Sequence, residues 1–531
     1  MASRKPNPLF ATKPLKLLLE EMAGEHRLRR VLGPVSLTSL GVGAIIGTGI
    51  FVLTGIAAHD KTGPALMLSF VLAGVACIFA ALCYAEFASM VPVAGSAYTY
   101  AYATLGELFA WIIGWDLLLE YAVASSTVAH GWSKYFQNFL DQIGFHLPQV
   151  LTNAPFDFHP DTGRLALTGT WFDLPAIAIT AAVTVVLVIG IRESAGFNAG
   201  MVIFKLLIVG FVIAVGSFYV DPKNWIPFAP FGLSGISFFG KTIVGQHGIA
   251  GEPLGMMAGA AIIFFAYIGF DSVSTHSEEA KNPQRDVPIG IIVSLVLCTI
   301  LYIAVAAVLT GMVPYDKIDI NAPVADAFRQ AGLPWARFLI SLGAITGITS
   351  VLLVMMLSQA RVLLAMARDG LLPVGFFGAV HERFRTPHKS TIVTGLFVAT
   401  VAALVPLRVL ADLVNIGTLL AFVIVCAAVL IMRRTNPNAA RPFRAPFVPL
   451  VPILGMGFCL LLMFSLPSEN WLRLAVWLAL GLSIYFLYGR HHSVMALRTA
   501  EEIARHGLSP AGVPVAPNPG APDDPRRGGR R

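Results

Sequence analysis

The first feature of this sequence that could do chemistry is an apolar segment interrupted by glycines. It reads Gly-Val-Gly-Ala-Ile-Ile-Gly-Thr-Gly-Ile-Phe and runs from Gly41 to Phe51. Gly47 and Gly49 allow the backbone to leave a helix at this point. Amide groups freed around Thr48 and Gly49, at the positive start of the outer half-helix, would receive a substrate carboxylate. The Thr48 hydroxyl would add one more donor.

The inner half of the same segment supplies acceptors for the other end of such a ligand. The carbonyl groups of Ile45 and Ile46 would face an ammonium group. A competing interpretation is that Gly43 and Gly47 form a small-residue seam between packed helices, with no ligand. A nucleotide-binding loop is disfavoured, because the spacing is not GxGxxG and no Lys-Ser or Lys-Thr follows.

A second glycine interruption reads Phe-Phe-Ala-Tyr-Ile-Gly-Phe-Asp, from Phe264 to Asp271. We expect its carbonyl groups to face the ligand from the opposite side, and these groups belong to Phe265, Ala266, Tyr267 and Ile268. Phe270 follows Gly269 and would swing over the ligand as an aromatic lid. The alternative is that these aromatic side chains only pack in a core.

Lys205 lies in the apolar run Met-Val-Ile-Phe-Lys-Leu-Leu-Ile-Val. It is about eight residues, or roughly 12 Å of helix, inside the run. An ammonium group at membrane depth costs at least about 2.5 to 3.5 kcal/mol. Burial favours the uncharged amine, so this group could release a proton when the pocket dries and regain it when the pocket wets. Lys205 is therefore the predicted proton-coupling residue, unless its stem snorkels to the cytoplasmic interface.

Acidic residues and methionines complete the set of candidate residues. Glu120, one turn after Asp116, is expected to line the pocket, whereas Glu86 and Asp271 are expected to act as gate elements. Acids near the ends of apolar segments are often only helix caps or gate ion pairs. Met355 would floor a substrate side-chain pocket, with core packing as the alternative for Met355 or its neighbour Met356.

These residues must be positioned by membrane-spanning helices. The chain is 56% hydrophobic and only 13% charged over 531 residues, so a membrane is its natural solvent. Crossing roughly 30 Å of hydrocarbon takes about 20 helical residues. About twelve segments have this character: 36 to 58, 65 to 90, 98 to 128, 174 to 190, 197 to 219, 255 to 275, 288 to 312, 337 to 360, 390 to 406, 409 to 432, 447 to 465 and 471 to 488.

The two interrupted segments are the first and the sixth, five spans apart. Interruptions at corresponding places in two halves indicate an inverted-repeat transporter with its site near the bilayer midplane. The predicted fold is an all-α membrane protein of twelve transmembrane helices, with a five-plus-five inverted repeat, broken helices 1 and 6, and two C-terminal helices. The expected parts are a cytoplasmic tail (1–35), the first repeat (36–219), an outer loop with the second repeat (220–432), helices 11 and 12 (433–488) and a cytoplasmic, disordered tail (489–531).

Charge and cysteine usage limit the location and the partners. With the N-terminus inside, most of the 37 Lys and Arg residues fall on the cytoplasmic side, which predicts that both termini lie in the cytoplasm. Because these basic residues are distributed over the loops and do not form one face, a nucleic-acid-binding surface is not predicted. No removable signal sequence is expected. All five cysteines lie in apolar segments without a CxxC pair, so neither disulfides nor a metal site are predicted. No nucleophile and base pair or phosphate loop stands out, which disfavours an enzyme.

Three long strings show a resemblance to a known group of transporters. They are GVGAIIGTGIFVLTG from Gly41, FFAYIGFDSVSTHSEEAKNPQRDVPIGI from Phe264 and AEFASMVPVAGSAYTYAY from Ala85. RVLLAMARDGLLP, from Arg361, extends the likeness beyond the eighth span. The chain resembles the amino acid, polyamine and organocation superfamily, and within it the bacterial form of the cationic amino acid transporter family.

The resemblance implies an alternating-access cycle in the inner membrane with an L-amino acid as substrate and no cofactor. The ligand-holding positions map onto Ile45, Gly47, Thr48, Gly49 and Phe265 to Ile268, and the lid maps onto Phe270. Lys205 matches the lysine of proton-coupled members, in place of a sodium ion. A bulky Met355 argues for small neutral amino acids such as alanine, whereas Glu120 could draw a cationic side chain. Two alternative functions are an amine or amino acid exchanger without proton coupling and a non-transporting amino acid sensor. A small accessory membrane protein is a further possible partner.

Overall fold

Long apolar helices make up most of the structure. The computed structural model describes residues 8–14, 30–93, 95–159, 164–190, 194–248, 251–384 and 386–495. Within these residues, eight helices are long and apolar enough to cross a membrane, and four shorter apolar helices accompany them. The chain is therefore a multi-pass membrane protein of mainly helical structure. The tail predicted from 489 onward is described only as far as 495, and its expected disorder lies outside the described residues.

The main α-helices are α1 (Pro34–Ile45), α2 (Leu66–Met90), α3 (Ser96–Thr104), α4 (Glu107–Gln142), α5 (Leu174–Ile189), α6 (Ser194–Gly216), α7 (Met256–Ile263), α8 (Pro283–Met312), α9 (Pro323–Gln330), α10 (Pro334–Arg368), α11 (His388–Leu404), α12 (Leu407–Thr435), α13 (Leu450–Ser465) and α14 (Ser468–Ile484). Short α-helices cover Thr54–Ala57, Val374–Phe377 and Arg490–His492. The π-helical pieces are Gly49–Leu53, Ala58–Thr62 and Tyr485–Gly489. The 3₁₀ pieces are Pro8–Phe10, Gly63–Ala65, Gln149–Leu151, Ser217–Tyr219, Pro222–Trp225, Phe264–Tyr267, Asp271–Glu279 and Tyr315–Lys317.

The first apolar segment is broken at its glycines. Helix α1 ends at Ile45, and Ile46 adopts an extended backbone with ψ of 100°. The chain returns to a helical path at Gly49 and continues through Thr62 as π, α and π turns. The backbone N–H of Ile46 still donates to the carbonyl of Val42 at 3.1 Å, and the carbonyl of Gly47 accepts from the N–H of Phe51 at 3.1 Å. The interruption of the helix is therefore centred on Ile46 and Gly47.

The sixth apolar segment is broken in a similar way. Helix α7 passes into the 3₁₀ turn Phe264–Tyr267, after which Ile268 is extended, with ψ of 132°. Gly269 has φ of 123°, a conformation that side chains with a β-carbon rarely adopt. The helical path resumes as the 3₁₀ segment Asp271–Glu279. A glycine at 269 is what permits the reversal between the two halves.

The third predicted segment differs from the structure at both ends. In place of one span from 98 to 128, the chain forms α3 and then α4, joined at Gly106 with φ of 99°. Helix α4 continues to Gln142, through residues expected in an outer loop. Trp132 and Tyr135, which lie beyond the end of the predicted span, are buried in the bundle. Polar residues between these aromatic residues obscured the apolar face that continues the helix.

Three small antiparallel sheets lie in segments predicted as outer loops. Strand β1 (Phe156–His159) pairs with β2 (Arg164–Leu167), with Phe156 opposite Leu167. β3 (Ile236–Phe238) pairs with β4 (Lys241–Val244), and β5 (Gln246–His247) pairs with β6 (Pro253–Leu254). The described fold is thus almost entirely helical, with strand confined to these hairpins.

The site is positioned by helices that surround the two breaks. Helix α8 packs against α1 and α2, while α10 and α12 pack against α4. Near the N-terminus, the backbone N–H of Lys13 donates to the carbonyl of Tyr102 at 3.0 Å, and its amino group pairs with Asp369 at 2.7 Å. This segment ties the ends of α3 and α10 together on one side of the bundle.

Candidate functional site

The two broken segments cross in close contact. A β-carbon added to Gly49 would lie 2.4 Å from Cα of Ala266. A β-carbon added to Gly269 would lie 2.9 Å from the carbonyl carbon of Ala44. Real β-carbons do not approach backbone atoms this closely, so glycine is required at both crossing points. The breaks therefore face each other instead of facing lipid.

Tyr302 of α8 connects the two breaks. Its hydroxyl lies 2.7 Å from the carbonyl oxygen of Ile45 and 2.9 Å from that of Ala266, so its single proton can be donated to either carbonyl. The tyrosine is fully buried. The sequence interpretation missed it, although a lone tyrosine hydroxyl inside an apolar span was an available signal. One buried donor thus lies within hydrogen-bond distance of both interrupted segments, at the points where the helices break.

Lys205 points into the first break. Its Nζ donates to the carbonyl oxygens of Gly43 at 2.7 Å and Ile46 at 3.0 Å. The third bond goes to Oγ of Ser350 at 2.9 Å, and Ser350 itself donates to the carbonyl of Gly43 at 3.1 Å. All three donors of an ammonium group are used, in a completely buried site. The side chain does not snorkel away from the gap.

A small cavity of about 10 Å³ lies between the breaks, with room for about one water molecule. It is lined by Ala44, Ile45, Gly47, Thr48, Gly49, Ala124, Val128, Phe265, Ile268, Val351 and Met355. The glycine break, Thr48 and Met355 thus meet at one place, as the sequence interpretation expected. An amino acid is several times larger than one water molecule, so the site must widen to receive it.

The side chain of Thr48 brings a hydroxyl group to the cavity. Its hydroxyl is buried and has no hydrogen-bond partner among the described residues. Gly131 of α4 makes room for it, since a β-carbon there would lie 2.4 Å from Cγ2 of Thr48. A buried hydroxyl without a partner is costly, and a ligand carboxylate would satisfy it.

The remaining walls of the cavity are apolar. Ala124 and Val128 come from α4, and Val351 comes from α10, one turn before Met355. None of these three was singled out from the sequence, although their spacing of four residues, repeated on two helices, was available as a signal. Val351 also covers Gly47, where an added β-carbon would lie 2.6 Å from Cγ2 of Val351.

Three predicted ligand residues have other partners in this structure. Ile46 does not line the cavity, because its carbonyl accepts from Lys205. The carbonyl of Ala266 is engaged by Tyr302. Tyr267, predicted to offer its carbonyl, does not line the cavity, and its hydroxyl donates to the carbonyl of Phe70 at 2.7 Å. Phe265 and Ile268 are the members of this break that reach the cavity.

The predicted lid and the acids of α4 lie outside the cavity. Phe270 is buried against Tyr84 and Phe422, with ring centroids 5.9 and 5.0 Å away. Neither carboxyl oxygen of Glu120, nor of Asp116, accepts a hydrogen bond within the described part of the chain. The hydroxyl of Thr418 donates to the carbonyl of Val414 at 3.2 Å. Glu120 therefore faces a separate buried region instead of the cavity.

Asp271 is held within the second break. Its carboxyl accepts from the Tyr121 hydroxyl at 2.5 Å and from the backbone N–H of Gly269 at 3.2 Å. It is completely buried and forms no ion pair among the described residues. In this conformation the carboxyl stabilises the reversal at Gly269 instead of pairing across a gate.

Glu86 forms a buried ion cluster at the end of α2. Arg433, at the end of α12, donates to its two oxygens at 3.0 and 2.7 Å. The backbone N–H of Ala445 donates to Glu86 at 2.8 Å, and Arg441 lies 3.4 Å away. The cluster joins α2, α12 and the connection that follows α12. Such a fully paired carboxylate ties these three segments together.

Comparison with known proteins places this geometry in a family. A family model described as amino acid permease matches residues 32–470, which include both breaks, Lys205 and the cavity-lining residues. The chain belongs to the amino acid permease family. The permease is thus a member of the amino acid, polyamine and organocation superfamily, and membership makes it a transporter, not an enzyme.

Two bacterial relatives match the permease over nearly their full length. The methylthioribose transporter of Bacillus subtilis (strain 168) is 47% identical over 487 residues, covering 92% of this chain and 99% of the relative. The branched-chain amino acid permease BcaP of the same organism is 48% identical over 486 residues, covering 91% and 98%. The human cationic amino acid transporter 4 is 38% identical over 438 residues, covering 81% and 64%. The relatives thus have different named substrates.

Proposed function

We propose that the permease is a proton-coupled symporter that imports neutral L-amino acids by alternating access. The observation that carries this proposal is the cavity between the two breaks, which Thr48 lines, together with the hydrogen bonds that Lys205 donates to Gly43 and Ile46 in the first of these breaks. The backbone carbonyl groups of the first break accept hydrogen bonds from the titratable amine of Lys205. A substrate zwitterion and a proton can therefore influence the same short stretch of chain.

The two breaks supply the groups for the amino acid backbone. The amide groups around Gly47 and Gly49, together with the orphan Thr48 hydroxyl, would receive the carboxylate at the start of a helix. The carbonyl groups of Ile45, Phe265 and Ile268 would face the ammonium group. Carbonyl oxygens have two lone pairs, so Ile45 can accept from the ligand while Tyr302 still donates to it.

The walls of the cavity select the substrate side chain. Val128, Val351 and Met355 are apolar, and no carboxylate lines the cavity among the residues that the structure describes. A cationic side chain would lose hydration there without gaining a counter-charge. This favours aliphatic amino acids, in keeping with the branched-chain amino acid named in one relative.

Lys205 would link proton movement to substrate movement. In the closed site its ammonium form is stabilised by three acceptors, which belong to Gly43 of α1, to Ile46 in the first break and to Ser350 of α10. When the inner half of the first segment moves, these acceptors separate, and an amine left in an apolar setting releases its proton. The neutral amine has only two N–H donors for these three acceptors, so loss of the charge would weaken the hold of Lys205 on the break from which the substrate leaves.

The proposed architecture is the twelve-helix inverted repeat. The first repeat would cover 36–219, the second 220–432 with its outer loop, and helices 11 and 12 would cover 433–488. The cytoplasmic tails would be 1–35 and 489–531, in a bacterial inner membrane. Glu86, Asp271 and Phe270 would act as gate elements in conformations more open than this one. Glu120 would enter the site in such a conformation.

A second candidate substrate is a neutral thiosugar. It is favoured by the methylthioribose named in a relative of equal similarity and by the thioether of Met355, which suits a methylthio group. Methylthioribose carries no carboxylate, so it would leave the amide groups of the first break unpaired. We therefore rank it behind a neutral amino acid.

Uptake by purified permease in proteoliposomes tests the proposal. An imposed gradient, acid outside, is expected to drive accumulation of labelled isoleucine or alanine, and a protonophore is expected to abolish it. Unlabelled valine should compete, whereas arginine and methylthioribose should not. Exchange that ignores the gradient would support an antiporter, binding without flux would support a sensor, and competition by methylthioribose alone would support the thiosugar.

A further inference from the structure

A buried pair of titratable residues joins α4 to the start of α5. Nδ1 of His130 is 3.2 Å from Oδ2 of Asp173. Asp173 stands at the start of α5, where its Oδ1 accepts from the Ser133 hydroxyl at 2.6 Å and from the backbone N–H of Ala176 at 3.1 Å. Oδ2 forms no standard hydrogen bond, so His130 is its nearest partner in the described structure.

The pair is almost completely buried. The Asp173 side chain is completely buried, whereas the imidazole of His130 retains 6% exposure. The exposed surface of the pair therefore belongs to the imidazole, where we expect a proton to enter. The proton can rest on Nδ1 and be donated to Oδ2, or rest on Oδ2 and be donated to Nδ1, because either atom can serve as donor or acceptor.

The charged surroundings of the pair are limited. Lys134, one turn further along α4, interacts electrostatically with both residues, and its amino group donates a hydrogen bond to the side chain of Asn153. Asp157 and Asp319 act on Lys134 in turn. From helix α11, the backbone carbonyl of Ala402 lies 3.5 Å from Nδ1 of His130. Burial raises the pKa of the Asp173 carboxyl to about 6, against the opposing effects of Ser133, Ala176 and Lys134.

The pair is one residue away from the substrate site. Gly131, next to His130, packs directly against Thr48, as shown by the 2.4 Å approach of an added β-carbon to Cγ2 of Thr48. A change in the bond between α4 and the start of α5 therefore shifts a helix wall that touches the substrate loop. Interiors as densely packed as this one transmit such shifts.

We propose that His130 and Asp173 form a proton-binding site on the outer side of the permease, distinct from Lys205, and that its occupancy tunes substrate affinity. The inference rests on the proposed transport function, because affinity is read at the substrate site. Binding one proton changes the pair from a net charge of −1 to zero and replaces a long contact with a hydrogen bond. We expect this to draw α4 toward α5 and to favour the substrate-binding form.

The test compares substrate affinity across external pH in counterflow, where equal pH on both sides removes any driving force. Wild-type permease is expected to bind several-fold more tightly at pH 5.5 than at pH 8. Asp173→Asn keeps an acceptor for the α5 cap and mimics the protonated acid, so it should bind with the acid-form affinity at every pH. His130→Gln should also flatten the profile.

His146→Gln is the matched control, since His146 forms an exposed pair with Asp141 at 2.8 Å. It should keep the wild-type profile. Thermal melting in detergent identifies variants that fail to fold, and isothermal titration in buffers of different ionisation enthalpy then counts the protons bound with substrate. A wild-type pH profile in folded Asp173→Asn, or a flat profile in the wild type, would overturn the proposal. Loss of counterflow in the wild type would instead overturn the transport function itself.

Discussion

The amino group of Lys205 donates to the carbonyl oxygen of Ile46 at 3.0 Å, across 159 residues of chain. Ile46 is the first residue whose backbone leaves helix α1. The amine thus replaces a donor that the broken helix no longer provides, and a buried charge is stabilised by the same contact. The protonation state of Lys205, on α6, is therefore connected to the shape of the first break.

Lys205→Ala is expected to abolish accumulation driven by a pH gradient, while part of the counterflow activity remains. The reason is that three hydrogen bonds and the titratable group disappear together, but Thr48 and the second break stay in place. Lys223→Ala, at an exposed position, is the control and should transport normally. Full gradient-driven uptake by Lys205→Ala would remove the coupling role.

Gly49→Val should eliminate substrate binding. A β-carbon at this position would lie 2.4 Å from Cα of Ala266, so the two breaks would be pushed apart, and a β-branched side chain also resists the required backbone. Gly457→Val, where no atom lies within 4 Å of an added β-carbon, serves as the control. Normal affinity of folded Gly49→Val in a binding assay would contradict the site.

Tyr302→Phe should weaken substrate affinity about fivefold, since a net hydrogen bond contributes about 1 kcal/mol. The substitution keeps the ring and removes only the donor that joins Ile45 to Ala266. Tyr267→Phe is the matched comparison, because its hydroxyl serves the carbonyl of Phe70 away from the cavity. Equal effects of the two variants in competition assays would show that Tyr302 has no special role.

Met355→Ala should shift selectivity toward larger side chains. Removing the thioether enlarges the cavity floor, and we expect the preference for leucine over alanine to rise roughly tenfold, within the ~1–3 kcal/mol that one or two methylene groups contribute to discrimination. Met356→Ala removes an equally buried side chain that does not line the cavity. An unchanged substrate ranking for Met355→Ala in a competition panel would place the side-chain pocket elsewhere.

Glu86→Gln is expected to lower the thermal stability of the permease in detergent. Removing one partner of a buried ion pair costs roughly 3–5 kcal/mol, and here Arg433 and Arg441 would both lose their counter-charge. Arg329→Gln tests the same chemistry at a position that is 51% exposed, where the loss should be small. A melting temperature unchanged in Glu86→Gln would show that the cluster does not tie these segments together.

Much of the fold could be predicted because its signals are local. Apolar runs of sufficient length indicate membrane helices, and glycines at 47, 49 and 269 indicate the two breaks, since helix formation depends on residues three to five positions apart. The span boundaries were less accurate where polar and aromatic residues mix, as in α4. There the buried aromatic face decides the helix, and burial is not a property of the sequence window.

By itself, the sequence determined that this chain spans a membrane, where its helices break and which lysine lies at membrane depth. Only the tertiary structure decided which groups meet: Tyr302 with Ile45, Lys205 with Ser350, Gly131 with Thr48. It also shows that Glu120 and Phe270 lie outside the cavity and that His130 lies beside Asp173. The physical reason is that hydropathy and backbone freedom act along the chain, whereas the contacts of a site depend on how helices far apart in sequence pack side by side.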